Sequence, residues 1–114
     1  MSAITTHVLD VSKGSPASGV AVVLEYLTGN GAWLELGRGR TDEDGRVKNL
    51  LSPETAIQPG AYRLTFETGK YFESQGGESF YPQVTVTFHV SDAAQHYHVP
   101  LLLSPYGFTT YRGS

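Results

Sequence analysis

Four histidines, His7, His89, His96 and His98, are the side chains of this sequence whose ordinary pKa lies near neutrality, so any proton transfer at physiological pH starts from them. Two of them fall in Gln95-His96-Tyr97-His98-Val99-Pro100. Residues two apart on a strand share a face, which points both imidazoles the same way and Tyr97 and Val99 the other way. A solvent-facing strand edge needs polar side chains and would account for the pair without any chemistry. A functional site is the alternative, and a metal is its first form: His-x-His plus a third imidazole such as His7 would make a three-histidine zinc site with an open position for water. The spacing leaves these readings open.

Arg46 closes Thr41-Asp42-Glu43-Asp44-Gly45-Arg46. It is either an exposed structural arginine or a fork of donors for an anionic or imide-like ligand. Tyr111, in Thr110-Tyr111-Arg112-Gly113-Ser114, places a phenol on the last strand. Other chemistry is poorly supported. Asp42-Glu43-Asp44-Gly45 lacks the ligand spacing and the bidentate Glu of a calcium loop, and reads as a turn. Gly37-Arg38-Gly39 begins a glycine pattern that Asp42 leaves incomplete, with no helix following to receive a pyrophosphate. No serine sits in a Gly-x-Ser-x-Gly elbow. The absence of cysteine removes disulfides, thiol nucleophiles and thiolate metal sites together.

The 114 residues and 12.4 kDa fit one domain spanning positions 1–114. A hydrophobic fraction of 39% is enough for a folded core. Eight Lys and Arg against eleven Asp and Glu leave a net charge of −3, which argues against nucleic-acid binding because no positive field covers the surface. The amino-terminal Met1-Ser2-Ala3-Ile4-Thr5-Thr6-His7 lacks the basic and apolar regions of an export signal, and the ending Arg-Gly-Ser is not a peroxisomal address. A cytoplasmic protein is therefore expected. The longest apolar run, Val99 to Leu103, falls far short of the roughly 20 residues that span a bilayer, so no membrane partner is expected.

The elements that must position these groups are strands. Val84, Val86, Phe88 and Val90 alternate with Thr85, Thr87 and His89, giving one apolar and one polar face. The same pattern predicts strands near Ile4–Val11, Val20–Leu27, Trp33–Arg40, Val47–Asn49, Tyr62–Glu67, His96–Ser104 and Phe108–Tyr111. Gly14-Ser15-Pro16 and Pro59-Gly60 read as turns, and Asp44-Gly45 as the tip of a hairpin between the third and fourth strands. Only Thr68–Gln75 departs from alternation and reads as a short helix, with Thr68 as N-cap and Gly76 as its stop. Eight short strands predict an all-β sandwich or barrel. Faces carrying Thr85, Thr87, Thr109 and Tyr111 leave strand edges that a second subunit could pair.

Taken together, Ile4-Thr5-Thr6-His7-Val8-Leu9-Asp10, Gly14-Ser15-Pro16-Ala17, Thr41-Asp42-Glu43-Asp44-Gly45-Arg46, Phe80-Tyr81-Pro82 and His96-Tyr97-His98-Val99-Pro100-Leu101-Leu102-Leu103-Ser104-Pro105-Tyr106-Gly107, running on to Tyr111-Arg112-Gly113-Ser114, resemble the transthyretin-like family over nearly the whole chain. Within that family the early Thr-His-Val-Leu-Asp, the late His-Tyr-His and the closing Tyr-Arg-Gly-Ser resemble the 5-hydroxyisourate hydrolase branch, whereas hormone carriers lack these histidines and this ending. The resemblance implies an eight-stranded prealbumin-like β-sandwich assembled as a homotetramer, with sites in a central channel where two dimers meet. It carries catalytic roles onto His7, Arg46, His98 and Tyr111, with His96 and Ser114 beside them as substrate-binding positions. His89 matches no such position and is expected to be a surface histidine.

The implied reaction is metal-independent hydrolysis of 5-hydroxyisourate at its cyclic acyl–nitrogen bond, giving 2-oxo-4-hydroxy-4-carboxy-5-ureidoimidazoline, in purine breakdown after urate oxidation. No cofactor is implied. An imidazole, His7 or His98, would take a proton from water; Arg46 would hold the polar ring edge and stabilise the charge on the attacked carbonyl oxygen; Tyr111 would position substrate or water through its hydroxyl. Two other readings compete with the enzyme: a non-catalytic carrier of a planar ligand in the same channel, and a prealbumin-like structural module of a surface protein.

Overall fold

The computed structural model describes residues 3–114; Met1 and Ser2, the start of the stretch read above for an export signal, lie outside the described residues. The strands are β1 (Ile4–Asp10), β2 (Ser15–Pro16), β3 (Ala21–Leu27), β4 (Trp33–Arg40), β5 (Gly60–Phe66), β6 (Val84–Val90), β7 (Tyr97–Ser104) and β8 (Gly107–Thr110), with one helix, α1 (Thr68–Ser74), between β5 and β6. They form two four-stranded sheets, ordered β2-β1-β7-β8 and β4-β3-β5-β6. The expected all-β sandwich is present.

Alternation explains the burial. On β1 every second side chain from Ile4 to Asp10 is buried, and on β5 Tyr62, Leu64 and Phe66 turn inward. Burying such side chains stabilises the fold by roughly 1.5–3 kcal/mol each before ordering costs. With Val22 and Leu24 of β3 and Leu101 and Leu103 of β7, they fill the space between the sheets. The outward faces carry the remaining positions, and on the first sheet these include Thr5, His7 and His98.

Three expectations are corrected. Val47–Asn49 is not a strand, and the Asp44-Gly45 turn does not join β4 to a partner in its own sheet. The turn itself forms: the Asp42 amide donates to the Arg46 carbonyl and the Gly45 amide to the Asp42 carbonyl. It leans across the sandwich onto β1, where the Val8 amide donates to the Gly45 carbonyl and His7 pairs with Arg46 in an isolated antiparallel bridge. Val47, Leu50 and Leu51 then plug the core as loop residues. The Gly37 and Gly39 pair that began an unfinished nucleotide pattern serves this loop, because a side chain at Gly37 would overlap the Leu50 carbonyl and one at Gly39 the Val47 methyl. Ser15-Pro16, expected as a turn, is a two-residue strand paired with Leu9 and Asp10.

Thr68 is the third correction. It is the first residue of α1; the N-cap is Glu67, which makes no side-chain cap bond, and the Thr68 hydroxyl donates instead to the Tyr81 carbonyl. The stop at Gly76 holds, since Gly76 and Gly77 donate to the carbonyls of Glu73 and Phe72 in the paired pattern that ends a helix on a positive-φ glycine.

Candidate active site

Strands β1 and β7 run parallel with Thr5 opposite His98 and His7 opposite Pro100. Side chains in register on adjacent strands share a face, so Thr5, His7 and His98 stand on the outer side of the first sheet, with His7 about 6.6 Å along β1 from Thr5. His96 lies just before β7 and reaches the same patch. The Thr5 hydroxyl oxygen is 2.8 Å from His98 Nδ1 and 3.1 Å from His96 Nε2. The turn after β4 brings Arg46 from one side, and the carboxy-terminal segment closes the other, where Gly113 pairs with His98 and donates its amide to the His98 carbonyl at 2.8 Å.

Beside them lies a cavity of about 420 Å³ lined by Thr5, Thr6, Arg46, Val47, Lys48, His96, His98 and Ser114. A larger open depression of about 720 Å³ lies between α1 and Tyr106, but its walls carry Glu67, Lys70, Glu73 and Glu78 and no imidazole. The smaller cavity gathers two imidazoles, a guanidinium and an ammonium group. Partial burial first, then the positive field of Arg46 and of the neighbouring His96 and His7 rings, holds His98 below the ordinary histidine range. That shift favours the neutral ring, the state a proton acceptor needs.

Arg46, His96, His98 and Ser114 thus line one cavity, and His7 adjoins it through its bridge to Arg46. Tyr111 does not join them within the chain: it lies one residue beyond β8, is 56% exposed, and borders a separate depression with Thr87, His89 and Arg112. His89 is exposed on β6. The sequence reading passed over Thr5 and Lys48. Lys48, two residues beyond Arg46 on the same excursion, could have been flagged as a second cation; Thr5 carries no signal that separates it from any outward threonine on a strand. Among the described residues no group of three or more His, Asp or Glu side chains is arranged to hold a metal ion.

Residues 4–113 match the family described as HIUase/Transthyretin. The chain belongs to that family. Among curated HIUase/Transthyretin relatives, the 5-hydroxyisourate hydrolase of Salmonella dublin is 54% identical over 111 residues, covering 97% of this chain and 80% of the relative. Among solved members, sea bream transthyretin in complex with thyroxine superposes with a TM-score of 0.91 at 34% identity, covering 98% of this chain and 95% of the other. The 5-hydroxyisourate hydrolase of Klebsiella pneumoniae superposes at 0.82 with 37% identity, covering 97% and 98%. The family's fold is thus shared by a protein crystallised with a hormone and by hydrolases. Function must be argued from side chains, because one backbone carries both.

Proposed function

We propose that this chain is a 5-hydroxyisourate hydrolase, opening the substrate's ring at its cyclic acyl–nitrogen bond with water as the nucleophile. The observation that carries the reading is the convergence of His98, His96, Arg46 and Ser114 on one water-accessible cavity, with His7 beside Arg46. A carrier has no use for a neutral imidazole held next to a guanidinium. Hydrolysis needs both: an acceptor for the water proton, typically worth about 10²–10⁴-fold, and a fixed positive charge where the carbonyl oxygen becomes negative.

His7 and His98 are the candidates for the base. His98 has partial burial and nearby positive charge to keep it unprotonated. The exposed guanidinium of Arg46 is free to meet the polar edge of a planar acidic ring as a two-pronged donor. Lys48 adds a second cation at the rim, which favours an anionic substrate. Tyr111 completes the site from another copy of the chain in a homotetramer, since its own fold leaves it outside the cavity. Both β6 and β8 are sheet edges with a free side, and Phe80, Tyr106 and Tyr111 are exposed nearby, which suits such an assembly.

Ultraviolet absorbance of freshly generated 5-hydroxyisourate tests the reading directly. Decay well above the spontaneous rate is expected, and decay at the spontaneous rate overturns it. The chemistry is proposed as metal-independent, so exhaustive dialysis against a chelator should leave turnover unchanged; loss restored by zinc would revive the three-histidine alternative. Light scattering should give the mass of four chains.

A further inference from the structure

The Thr5 hydroxyl stands between two imidazoles, 2.8 Å from His98 Nδ1 and 3.1 Å from His96 Nε2. A hydroxyl has one proton to give, so it can donate to only one of these rings. If it donates to His98, the proton of neutral His98 must sit on Nε2, and that ring cannot accept another from water there. If it accepts from His98 Nδ1–H and donates to His96 Nε2, then Nε2 of His98 is the bare nitrogen. Only a hydroxyl that accepts from His98 Nδ1–H leaves that ring a base, and its own proton is then available to His96 Nε2.

We propose that Thr5 is a positioning residue for turnover, holding His98 in its Nδ1–H form and coupling it to His96 as a two-imidazole proton relay. This rests on the hydrolase reading with His98 as the ring that takes the water proton. The relay closes as a cycle. Nε2 of His98 takes a proton from the attacking water. The Nδ1–H bond of His98 then breaks as a new bond forms to the Thr5 oxygen, while the old O–H proton passes to Nε2 of His96. The positive charge now sits on His96 and His98 is neutral. When the acyl–nitrogen bond breaks, Nε2–H of His98 goes to the leaving nitrogen and His96 returns its proton by the same path. No proton is gained or lost by the protein over the cycle.

The surroundings explain why moving the charge helps. His98 is half-buried and faces positive or imidazole groups from several directions: His7 on β1, Arg46 and Lys48 on the excursion after β4, and His96 on its own segment, with Gly113 and Ser114 closing the fourth side. A cation there is poorly solvated and repelled by Arg46. His96 is exposed, so water solvates the charge. Its segment is also tied down, because Arg112 donates to the Gln95 side chain and to the His96 carbonyl.

The test compares kcat and KM across pH for the wild type, Thr5→Val, Thr5→Ser and His96→Gln. Valine keeps the shape of threonine and removes the hydroxyl, so kcat should fall about tenfold or more while KM stays within about twofold. The acid limb of the profile should move to lower pH, since the imidazolium loses its outlet. Serine should restore most of the rate. Adding His96→Gln to Thr5→Val should cost little further, because both interrupt one path. Wild-type kcat and pH profile in Thr5→Val, or Thr5→Ser as slow as Thr5→Val, would overturn the relay. Nitrogen-15 spectra of the wild-type histidines read the tautomer without turnover: His98 with its proton on Nδ1 is expected, and on Nε2 it sinks the proposal even if Thr5→Val fails to fold. A wild-type chain that leaves 5-hydroxyisourate to decay unaided overturns the hydrolase reading and the relay's part in it, while the tautomer still decides the hydrogen-bond arrangement.

Discussion

His7 and Arg46 are partners in a β-bridge although no strand carries Arg46. The turn that presents Arg46 belongs to the connection leaving β4, in the second sheet, yet its backbone is bonded to β1 of the first. Arg46 therefore lines the same cavity as His96 and His98 because a loop crosses between sheets, and what fixes that crossing fixes the position of Arg46.

Gly45 is the residue on which the crossing turns. Its φ of 77° suits glycine, and a side chain there would run into the Val8 carbonyl and approach the His7 ring to 3.2 Å. Gly45→Ala should destabilise the fold by about 1–3 kcal/mol and also withdraw Arg46 from His7. The loss in kcat/KM should exceed what unfolding explains, which denaturant titration and kinetics on the same preparation would show. Unchanged kinetics at reduced stability would mean that the turn does not set the position of Arg46.

How much of this was visible beforehand depends on how many constraints each segment carries. β6 was read to the residue because its inner and outer faces alternate without interruption from Val84 to Val90. Val47–Asn49 has one buried valine and then charge, which a three-residue strand and a loop plug satisfy equally; the glycines at 37 and 39 that receive the plug lie on another strand. The meeting of Thr5 with His98 depends on a parallel register between chain segments 93 residues apart, which local pattern does not contain. Family resemblance supplied His7, Arg46 and His98, but not the hydroxyl between the rings.

The proposed role of His98 as the base sets an expected pH dependence. Burial and then Arg46, His96 and His7 depress its pKa below the ordinary 6.5. With His98 as the proposed base, the neutral ring is the active form, so the acid limb of kcat/KM should fall below pH 6.5, with activity flat through neutrality. Arg46→Gln removes one source of depression and should move that limb upward while lowering the rate about 10²-fold through loss of the charge. A limb that stays in place in Arg46→Gln would show that the guanidinium does not act on His98. For folding the sign is related: an unfolded histidine binds protons that native His98 refuses, so this residue's contribution to stability declines as pH drops below about 6.5.

At the far end of β1 a different polar group anchors the helix. The Asp10 carboxylate, 1% exposed, accepts from the Tyr71 hydroxyl at 2.7 Å, from the Ser12 side chain and from the Ser12 and Lys13 amides. Burial pushes its pKa up, but these hydrogen bonds outweigh that and hold it below the usual aspartate value; burial and then the hydrogen bond to Asp10 push Tyr71 up. Asp10 therefore adds stability that is present above its unfolded pKa of about 3.9 and is lost as pH falls through the lower native value. Tyr71→Phe should cost about 1–2 kcal/mol with turnover retained, because the carboxylate keeps three donors and lies away from the cavity. Asp10→Ala should cost more, stranding the Tyr71 and Ser12 hydroxyls and the Ser12 amide, while the Lys13 amide keeps the Asp10 backbone carbonyl. Equal losses in urea titrations would refute a carboxylate-centred anchor.

Gly113 tests whether the carboxy-terminal segment shapes the site or merely covers it. Its amide is bonded to the His98 carbonyl, and its Cα lies so close that a Cβ would come within 2.6 Å of His98 Cδ2. The backbone there is not in the left-handed region, so alanine brings a clash with the ring rather than strain of its own. The ring cannot swing freely to escape, because its Nδ1 is held at 2.8 Å from the Thr5 hydroxyl. Either the segment lifts or the hydrogen bond breaks. Lifting would open the cavity at Ser114 and raise KM; breaking the bond would free His98 and lower kcat with KM little changed. In both cases kcat/KM for Gly113→Ala should drop by about tenfold or more, since misplacement of about 1 Å is enough to cost that much. Thermal unfolding should shift only slightly, because the segment contributes no residue to the buried core. A variant with wild-type kinetics would mean that the packing of Gly113 on His98 has no part in catalysis.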